Sequence, residues 1–199
     1  GGAKIEIPNE AEANRLKEDL QNSEYSVYKI TVRKVTRAPA PPFITSTLQQ
    51  EAWRQLRYSA SRTMMLAQQL YEGLPLGEEG SVGLITYMRT DSTRIAAAAL
   101  EGAREFIGEK YGAEFLPAKP RLFAKSEGAQ DAHEAIRPTD VRRTPEAVKR
   151  YLNADEYKIY SLIWQRFVAS QMEPARFDHT EVRIRAGRCL FQATGDVLR

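Results

Sequence analysis

The amino-acid sequence predicts an α+β fold, mainly α, in which a helical domain is inserted into a β-rich domain. Strand-like segments lie at both ends of the chain, helical patterns fill its middle, and prolines mark the two crossings. The first crossing is the run Ala38-Pro39-Ala40-Pro41-Pro42, and the second is Glu173-Pro174. Because proline lacks the amide that a β-ladder needs, we expect domain boundaries there. Residues 1–37 and 174–199 would then form the β-rich domain and residues 38–173 the helical one.

The first β-rich segment is predicted to contain two strands and one helix. A short strand is expected over residues 4–7. Asn9 is expected to cap a helix over about residues 10 to 21, because its side-chain oxygen can accept from free helix amides. Residues 25–35 alternate apolar and polar side chains, which indicates a longer strand.

Two helices are predicted to follow the first crossing. Ser46 and Gln49 have the spacing of a capping box, so a helix is expected over about residues 47 to 58. Apolar spacing after a turn at 59–61 indicates a second helix that ends at Gly73. This pair resembles a helix-turn-helix, a pattern that by itself more often indicates packing than DNA recognition.

Three more helices and a hairpin complete the predicted order. Ser92 or Thr93 is expected to cap a helix over about residues 94 to 110, and Thr144 a short helix to about residue 152. Asn153 with Glu156 indicates a longer helix to about residue 172. The period then changes to two, and a turn at 187 predicts a β-hairpin.

Composition limits the class of protein. The 199 residues are 42% hydrophobic and 28% charged, which is typical of a globular chain. No apolar run reaches the roughly 18 to 20 residues that span a membrane, so no membrane partner is expected. The single cysteine excludes an internal disulfide, and a reducing, cytoplasmic location is expected. The start at Gly1-Gly2 and the end in a strand-like run suggest a piece of a longer protein.

Basic side chains cluster in two places, although the net charge is only +3. Such clusters are usually solvated faces, and the alternative is contact with a polyanion. The members are Arg54, Arg57 and Arg62 in one cluster, and Arg137, Arg142, Arg143, Lys149 and Arg150 in the other.

The stretch GLITYMRTDSTR, residues 83–94, places Tyr87 two residues before Arg89. A phenol is a poor nucleophile at neutral pH unless cations or hydrogen-bond donors favour its ionised form. In extended backbone this spacing puts both side chains on one face, where the guanidinium could hold a phosphate that the phenol attacks. The alternative is a buried strand end at 84–88, with Tyr87 a core tyrosine whose hydroxyl is hydrogen-bonded.

The sequence from Leu84 to Arg94 closely resembles the active-site segment of bacterial type IA DNA topoisomerases. The resemblance extends over about residues 38 to 195 and includes three further motifs. They are PFITSTLQQ at 42–50, TMM at 63–65 and HEAIRPT at 133–139, with a shorter match at 162–164. Reverse gyrases and type III topoisomerases also carry a tyrosine with an arginine two residues on, but the residues around Tyr87 are most similar to the bacterial type I form.

The resemblance implies roles for six residues. Tyr87 matches the nucleophile that forms a 5′-phosphotyrosyl bond with one DNA strand, and Arg89 the arginine that positions the phosphate. Thr86 and Asp91 match polar neighbours of that tyrosine. A second segment near the DNA backbone is matched by His133 and Arg137, although a local capping role for His133 stays open.

The resemblance also implies partners and a cofactor. Family members form a torus in which the tyrosine domain meets a TOPRIM domain of the same protein, whose acidic cluster binds Mg²⁺. The Asp-x-Asp pair of that cluster occurs nowhere in this sequence, so no metal ligands are expected here and this chain alone is expected to be inactive. The expected substrates are single-stranded and negatively supercoiled DNA, with a nucleoid-associated location. The segment 74–82 is longer than the usual link before the motif.

Two other classes of protein stay open on the sequence. One is a binding module, in which the helix pair holds nucleic acid and Tyr87 serves in packing or stacking. The other is an interaction domain with no role in DNA chemistry. Only the enzyme requires a TOPRIM segment in the same protein.

Overall fold

A computed structural model describes residues 4–123 and 133–199. The chain divides into two compact units, one formed by residues 1–37 and 174–199 and the other by residues 38–173. The divisions fall at Arg37 and at Pro174, beside the two proline-marked crossings. The first unit contains strands and one helix, and the second is mainly helical, so the fold mixes helix and sheet. None of the helices in the described ranges is long and apolar enough to span a membrane.

The first unit is built on a three-stranded antiparallel sheet in the order β1-β4-β5. Its strands are β1 (Tyr25–Arg37), β4 (Ala175–Ala186) and β5 (Cys189–Leu198). In the register, Tyr25 pairs with Ala186 and Arg37 with Ala175. Gly187, at a φ of +53°, makes the tight turn between β4 and β5, and this left-handed backbone favours glycine. The predicted hairpin is therefore confirmed.

Helix α1 (Glu10–Gln21) precedes the sheet and has the predicted bounds. Asn9 accepts a hydrogen bond from the Glu12 amide at 2.9 Å, as the capping argument requires. The strand expected over residues 4–7 is wrong, because those residues have no regular structure. Ile5 and Ile7 instead line a surface groove with Leu16 of α1 and are largely exposed.

The second unit has a core between α2 (Thr45–Leu56), α3 (Ala60–Glu72) and α6 (Ala154–Ser170). The described residues of this unit contain two further α-helices, α4 (Ala97–Tyr111) and the one-turn helix α5 (Pro145–Val148). Two buried groups find backbone partners: Trp164 Nε1 donates to Val141 O at 2.8 Å, and Tyr160 Oη donates to Arg143 O at 2.6 Å. Desolvation in this core raises the pKa of Tyr160.

The expected insertion between α3 and the tyrosine motif is a small hairpin. Strands β2 (Leu74–Pro75) and β3 (Ser81–Val82) pair around a 3₁₀ turn at Gly77–Glu79. Leu76 is buried in the core, and Glu79 accepts a hydrogen bond from Arg143 at 2.8 Å. The segment is therefore ordered against the helical unit.

Two predicted helix caps are wrong. Helix α2 begins at Thr45 after Ile44, whose amide donates to Thr47 Oγ1 at 3.0 Å, so Ser46 and Gln49 do not form its capping box. Helix α4 begins only at Ala97, and neither Ser92 nor Thr93 caps it.

The later helix starts agree with the sequence. Thr144 caps α5 by accepting from the Ala147 amide, and Asn153 caps α6 with Glu156 in the reciprocal position.

Candidate active site

The N-terminal turn of α2 is held to the tyrosine motif by the backbone and side chain of Thr45. The Thr45 amide donates to Thr90 O at 2.9 Å, and the Thr45 hydroxyl lies 2.8 Å from Met88 O. The same hydroxyl accepts from the Thr90 amide at 2.9 Å. These bonds fix the backbone on either side of Arg89.

The tyrosine motif is also fastened to the segment that follows His133. Thr86 Oγ1 donates to Ala135 O at 2.6 Å and accepts from the Arg137 amide at 3.0 Å. The Thr86 amide donates to Arg137 O at 2.9 Å. Thr86 therefore uses its hydroxyl within the protein, and any contact it makes with DNA stays a prediction.

The backbone at the motif does not form the buried strand end that the alternative interpretation placed at 84–88. It forms one isolated bridge, between Ile85 and Pro138, and bends at Met88 and Arg89. Exposure nevertheless alternates through the next residues. Tyr87, Arg89 and Asp91 are exposed, whereas Met88, Thr90 and Ser92 are buried. Tyr87 and Arg89 are therefore both exposed, an arrangement that agrees with the shared face expected from their spacing.

Tyr87 is a surface residue, with 46% of its area exposed. Its ring meets the ring of Tyr71 edge to face, with centroids 5.3 Å apart. Its hydroxyl has no hydrogen bond to the described residues, and the side chain lines a cavity of about 380 Å³ together with His133 and Glu134. The alternative of a core tyrosine with a bonded hydroxyl is therefore wrong.

Arg89 lines a neighbouring groove of about 520 Å³ with Ser46, Gln49, Asp91 and His133. Within the described part of the chain, its guanidinium makes no ion pair. A planar fork that carries a positive charge and points into an open groove is suited to bidentate contact with a phosphate.

His133 lines both cavities and so joins the Tyr87 and Arg89 sides of the site. Its Nδ1 lies 3.9 Å from Asp91 Oδ1, and its carbonyl accepts from Arg94 Nε at 3.2 Å. The described residues from His133 to Arg143 contain no helix, so the capping role is not observed.

The guanidinium of Arg137 is held inside the site. Its Nε and Nη2 donate to Glu134 Oε2 at 3.0 and 2.6 Å, and Nη1 donates to Pro138 O at 3.0 Å. Only 12% of the side chain is exposed. This pairing rigidifies the segment beside Tyr87, and contact between Arg137 and DNA stays a prediction.

The sequence reasoning missed three residues that build this site: Thr45, Tyr71 and Glu134. Thr45 and Glu134 lie inside the quoted motifs, but only their neighbours were singled out. The sequence marks Tyr71 only as an apolar position of a helix, because its ring contact with Tyr87 is formed by the tertiary fold.

The two basic clusters are largely paired with acids. Five of their eight members make ion pairs with carboxylates: Arg54, Arg62, Arg137, Arg142 and Arg143. The bidentate bond from Arg142 to Glu109, for example, lowers the pKa of that carboxyl. Most of this charge is therefore already compensated, which favours solvated faces there.

The described residues do not fit a metal site. No three His, Cys, Asp or Glu side chains come together anywhere in residues 4–123 and 133–199. Asp91 and Glu134 flank the site, yet they lie beside His133 and Arg137 and form no ligand cluster with each other. No step of the chemistry is therefore assigned to a metal held by these residues.

The site thus contains an exposed tyrosine and, among the described residues, an arginine without an ion pair. The family model for DNA topoisomerases matches residues 2–199, and the chain belongs to this family, in its type IA class. Among solved structures, it is similar to full-length topoisomerase I from Thermotoga maritima, at 45% identity and a TM-score of 0.74. That match covers 94% of this chain and 30% of the Thermotoga protein.

Proposed function

We propose that this chain is the tyrosine-bearing part of a type IA topoisomerase that relaxes negatively supercoiled DNA through transient single-strand cleavage. The observation that carries the proposal is the exposure of Tyr87, with a free hydroxyl, beside an Arg89 that has no ion pair in the described residues. Family membership favours this enzyme over a binding module or an inert interaction domain.

The cleavage step exchanges one phosphate ester for another. Tyr87 Oη attacks a phosphorus of one DNA strand, the new O–P bond gives a 5′-phosphotyrosyl link, and the P–O3′ bond breaks. The departing oxygen takes up a proton and becomes a 3′-hydroxyl. Because the ester energy is retained in the tyrosyl bond, the reverse attack rejoins the strand without ATP.

Arg89 supplies the electrostatic part of this step. The motif backbone is fixed on both sides of Arg89 by Thr45, so its guanidinium needs little reorganisation to meet the phosphate. Charge that develops on the phosphate oxygens is stabilised by the two parallel N–H donors of the fork. Asp91 and His133 border the same groove and are proposed to orient the strand there.

The remaining parts of the enzyme are expected outside this chain. A TOPRIM domain of the same protein is the proposed partner of the Tyr87 face, and Mg²⁺ is its proposed cofactor. We expect this chain alone to leave supercoiled DNA unrelaxed, because the described residues hold no metal-binding acids. Steady relaxation by the purified chain would contradict that expectation.

A denaturing gel tests the proposal directly. End-labelled single-stranded DNA is incubated with the full-length protein and Mg²⁺, and label that migrates with protein and disappears after protease treatment marks the covalent bond. Tyr87→Phe should abolish this adduct, whereas the matched control Tyr111→Phe, another exposed tyrosine, should retain it. Arg89→Lys keeps the charge but loses the fork, so the adduct should be reduced while the fold persists. An adduct with Tyr87→Phe would overturn the assignment.

A further inference from the structure

An exposed tryptophan lies on the helix whose first turn borders the Arg89 groove. Trp53, on α2, has 57% of its surface exposed, although indole is the largest apolar side chain. The other tryptophan, Trp164, is only 6% exposed and is buried in the core. A single exposed apolar residue needs no explanation by itself, so its surroundings decide whether it has a role.

Trp53 belongs to a continuous row on the outer face of α2. Its helical members are Ser46, Gln50 and Trp53, at the spacing i, i+4 and i+7, and Arg57 follows directly after the helix. We call these four residues the α2 stripe. All four are exposed, whereas Leu48 and Ala52 bury the opposite face of the helix.

The α2 stripe begins at the candidate active site. Ser46, its first member, lines the same groove as Arg89 and His133, and so does Gln49 beside it. Trp53 lies seven positions after Ser46, a helical rise of about 10 Å. That length matches roughly three stacked nucleotides at ~3.4 Å each. A DNA strand whose phosphate contacts Arg89 and which then follows the surface of α2 would therefore bring a base to Trp53.

Charge at the far end of the stripe is also suited to a nucleic-acid strand. Arg57 follows the last residue of α2 with a φ of 59° and makes no ion pair with the described carboxylates. Its neighbour Arg54, in contrast, is bound to Glu51 at 2.5 Å. An exposed aromatic ring, followed four positions later by a guanidinium without an ion pair among the described residues, is a combination suited to single strands, by stacking on the base and contact with the phosphate.

From this geometry we propose that the α2 stripe extends the active site into a track for single-stranded DNA, with Trp53 as the platform on which a base stacks and Arg57 as its phosphate contact. The inference rests on the proposed function, because the track leads away from Arg89. Stacking is sequence-tolerant, so the track fixes the path of the strand and not the identity of its bases.

The two tryptophans make stacking directly measurable in this chain. With Trp164→Phe, Trp53 is the sole indole, and titration with a twelve-residue oligothymidylate should quench its fluorescence. With Trp53→Phe, the remaining indole of Trp164 is buried, and the same titration should leave its fluorescence unchanged. An abasic oligomer of equal length should bind more weakly than the thymidylate and cause no quenching.

Affinity supplies a second measurement that does not depend on folding of the Trp164 variant. Trp53→Ala should weaken binding of labelled oligothymidylate at least about fivefold, the lower bound expected for one lost stacking contact. Leu122→Ala, which truncates a side chain that is 79% exposed outside the stripe, should bind like the unaltered chain. Arg57→Ala should weaken binding and reduce its dependence on salt.

The outcomes separate the track from the enzyme assignment. If Arg89→Ala weakens oligothymidylate binding while Trp53→Ala does not and no quenching occurs, the track is wrong and the proposed function stands, with the α2 stripe then suited to a protein partner. If the unaltered chain binds no single strand even at low salt, both the track and the DNA-binding role of this site are wrong.

Discussion

The hydroxyl of Thr86 is expected to hold the active-site frame together, and Thr86→Val removes it while keeping the shape of the side chain. The hydroxyl donates to Ala135 O at 2.6 Å and accepts from the Arg137 amide at 3.0 Å, so the change breaks two partly buried bonds. At about 1 to 1.5 kcal/mol for each bond, the free energy of unfolding should fall by about 2 to 3 kcal/mol.

Thr86→Ser is the matched control for this change. It retains both hydrogen bonds and removes one methyl group, which costs about 0.8 kcal/mol if that group is buried. Urea denaturation followed by circular dichroism should therefore rank the unaltered chain first, Thr86→Ser second and Thr86→Val last. Equal stability of the two variants would refute the argument that the hydroxyl joins the two motifs.

Two further predictions concern ion pairs of the helical unit. The carboxyl of Asp155 accepts from the Tyr58 hydroxyl and then from Arg62, and both bonds lower its pKa in the folded state. The stability that Asp155 contributes is therefore present above the ordinary carboxyl pKa and is lost as the pH falls through the lower folded value. The difference in unfolding free energy between the native chain and Asp155→Asn should therefore shrink in acid. A constant difference from pH 7 to pH 2 would contradict this. Glu134→Gln removes the charge that holds the partly buried Arg137 guanidinium and should lower the unfolding free energy in urea by about 1.5 to 3 kcal/mol; an unchanged unfolding free energy would contradict this.

The sequence was most informative where structure is local. The Asn9 cap, the Asn153 and Glu156 capping box, and the hairpin around Gly187 depend on neighbouring residues, and all three are observed. Such features are predictable because both partners of each hydrogen bond lie within a few residues of each other.

The start of helix α2 is an error in which a distant segment competes for the same group. Helix α2 begins one residue before the proposed cap because the Thr45 amide is bound to Thr90 O, 45 positions away. Local patterns contain no information about such partners.

The candidate site shows the same division. The spacing of Tyr87 and Arg89 predicts a shared face, and the structure has both side chains exposed with buried Met88 between them. The bonds that hold them in place, through Thr45 and Thr86, join segments more than 40 positions apart and were not predictable from spacing. The catalytic roles themselves follow from the family and from the exposed geometry, and they stay proposals until the chemistry is measured.

Identification of the residue that carries the DNA is the most direct test of the central claim. Tyr71 is the sharpest competitor, since its ring lies 5.3 Å from that of Tyr87 and it is also exposed. The full-length protein is allowed to cleave single-stranded DNA, and denaturant then traps the covalent complex. Digestion with nuclease and trypsin should leave a nucleotide on the peptide of residues 63–89, which contains both tyrosines. Fragmentation in the mass spectrometer should place the added mass on Tyr87, and Tyr71→Phe should not remove it. A nucleotide on Tyr71, or on any peptide that lacks Tyr87, would contradict the account.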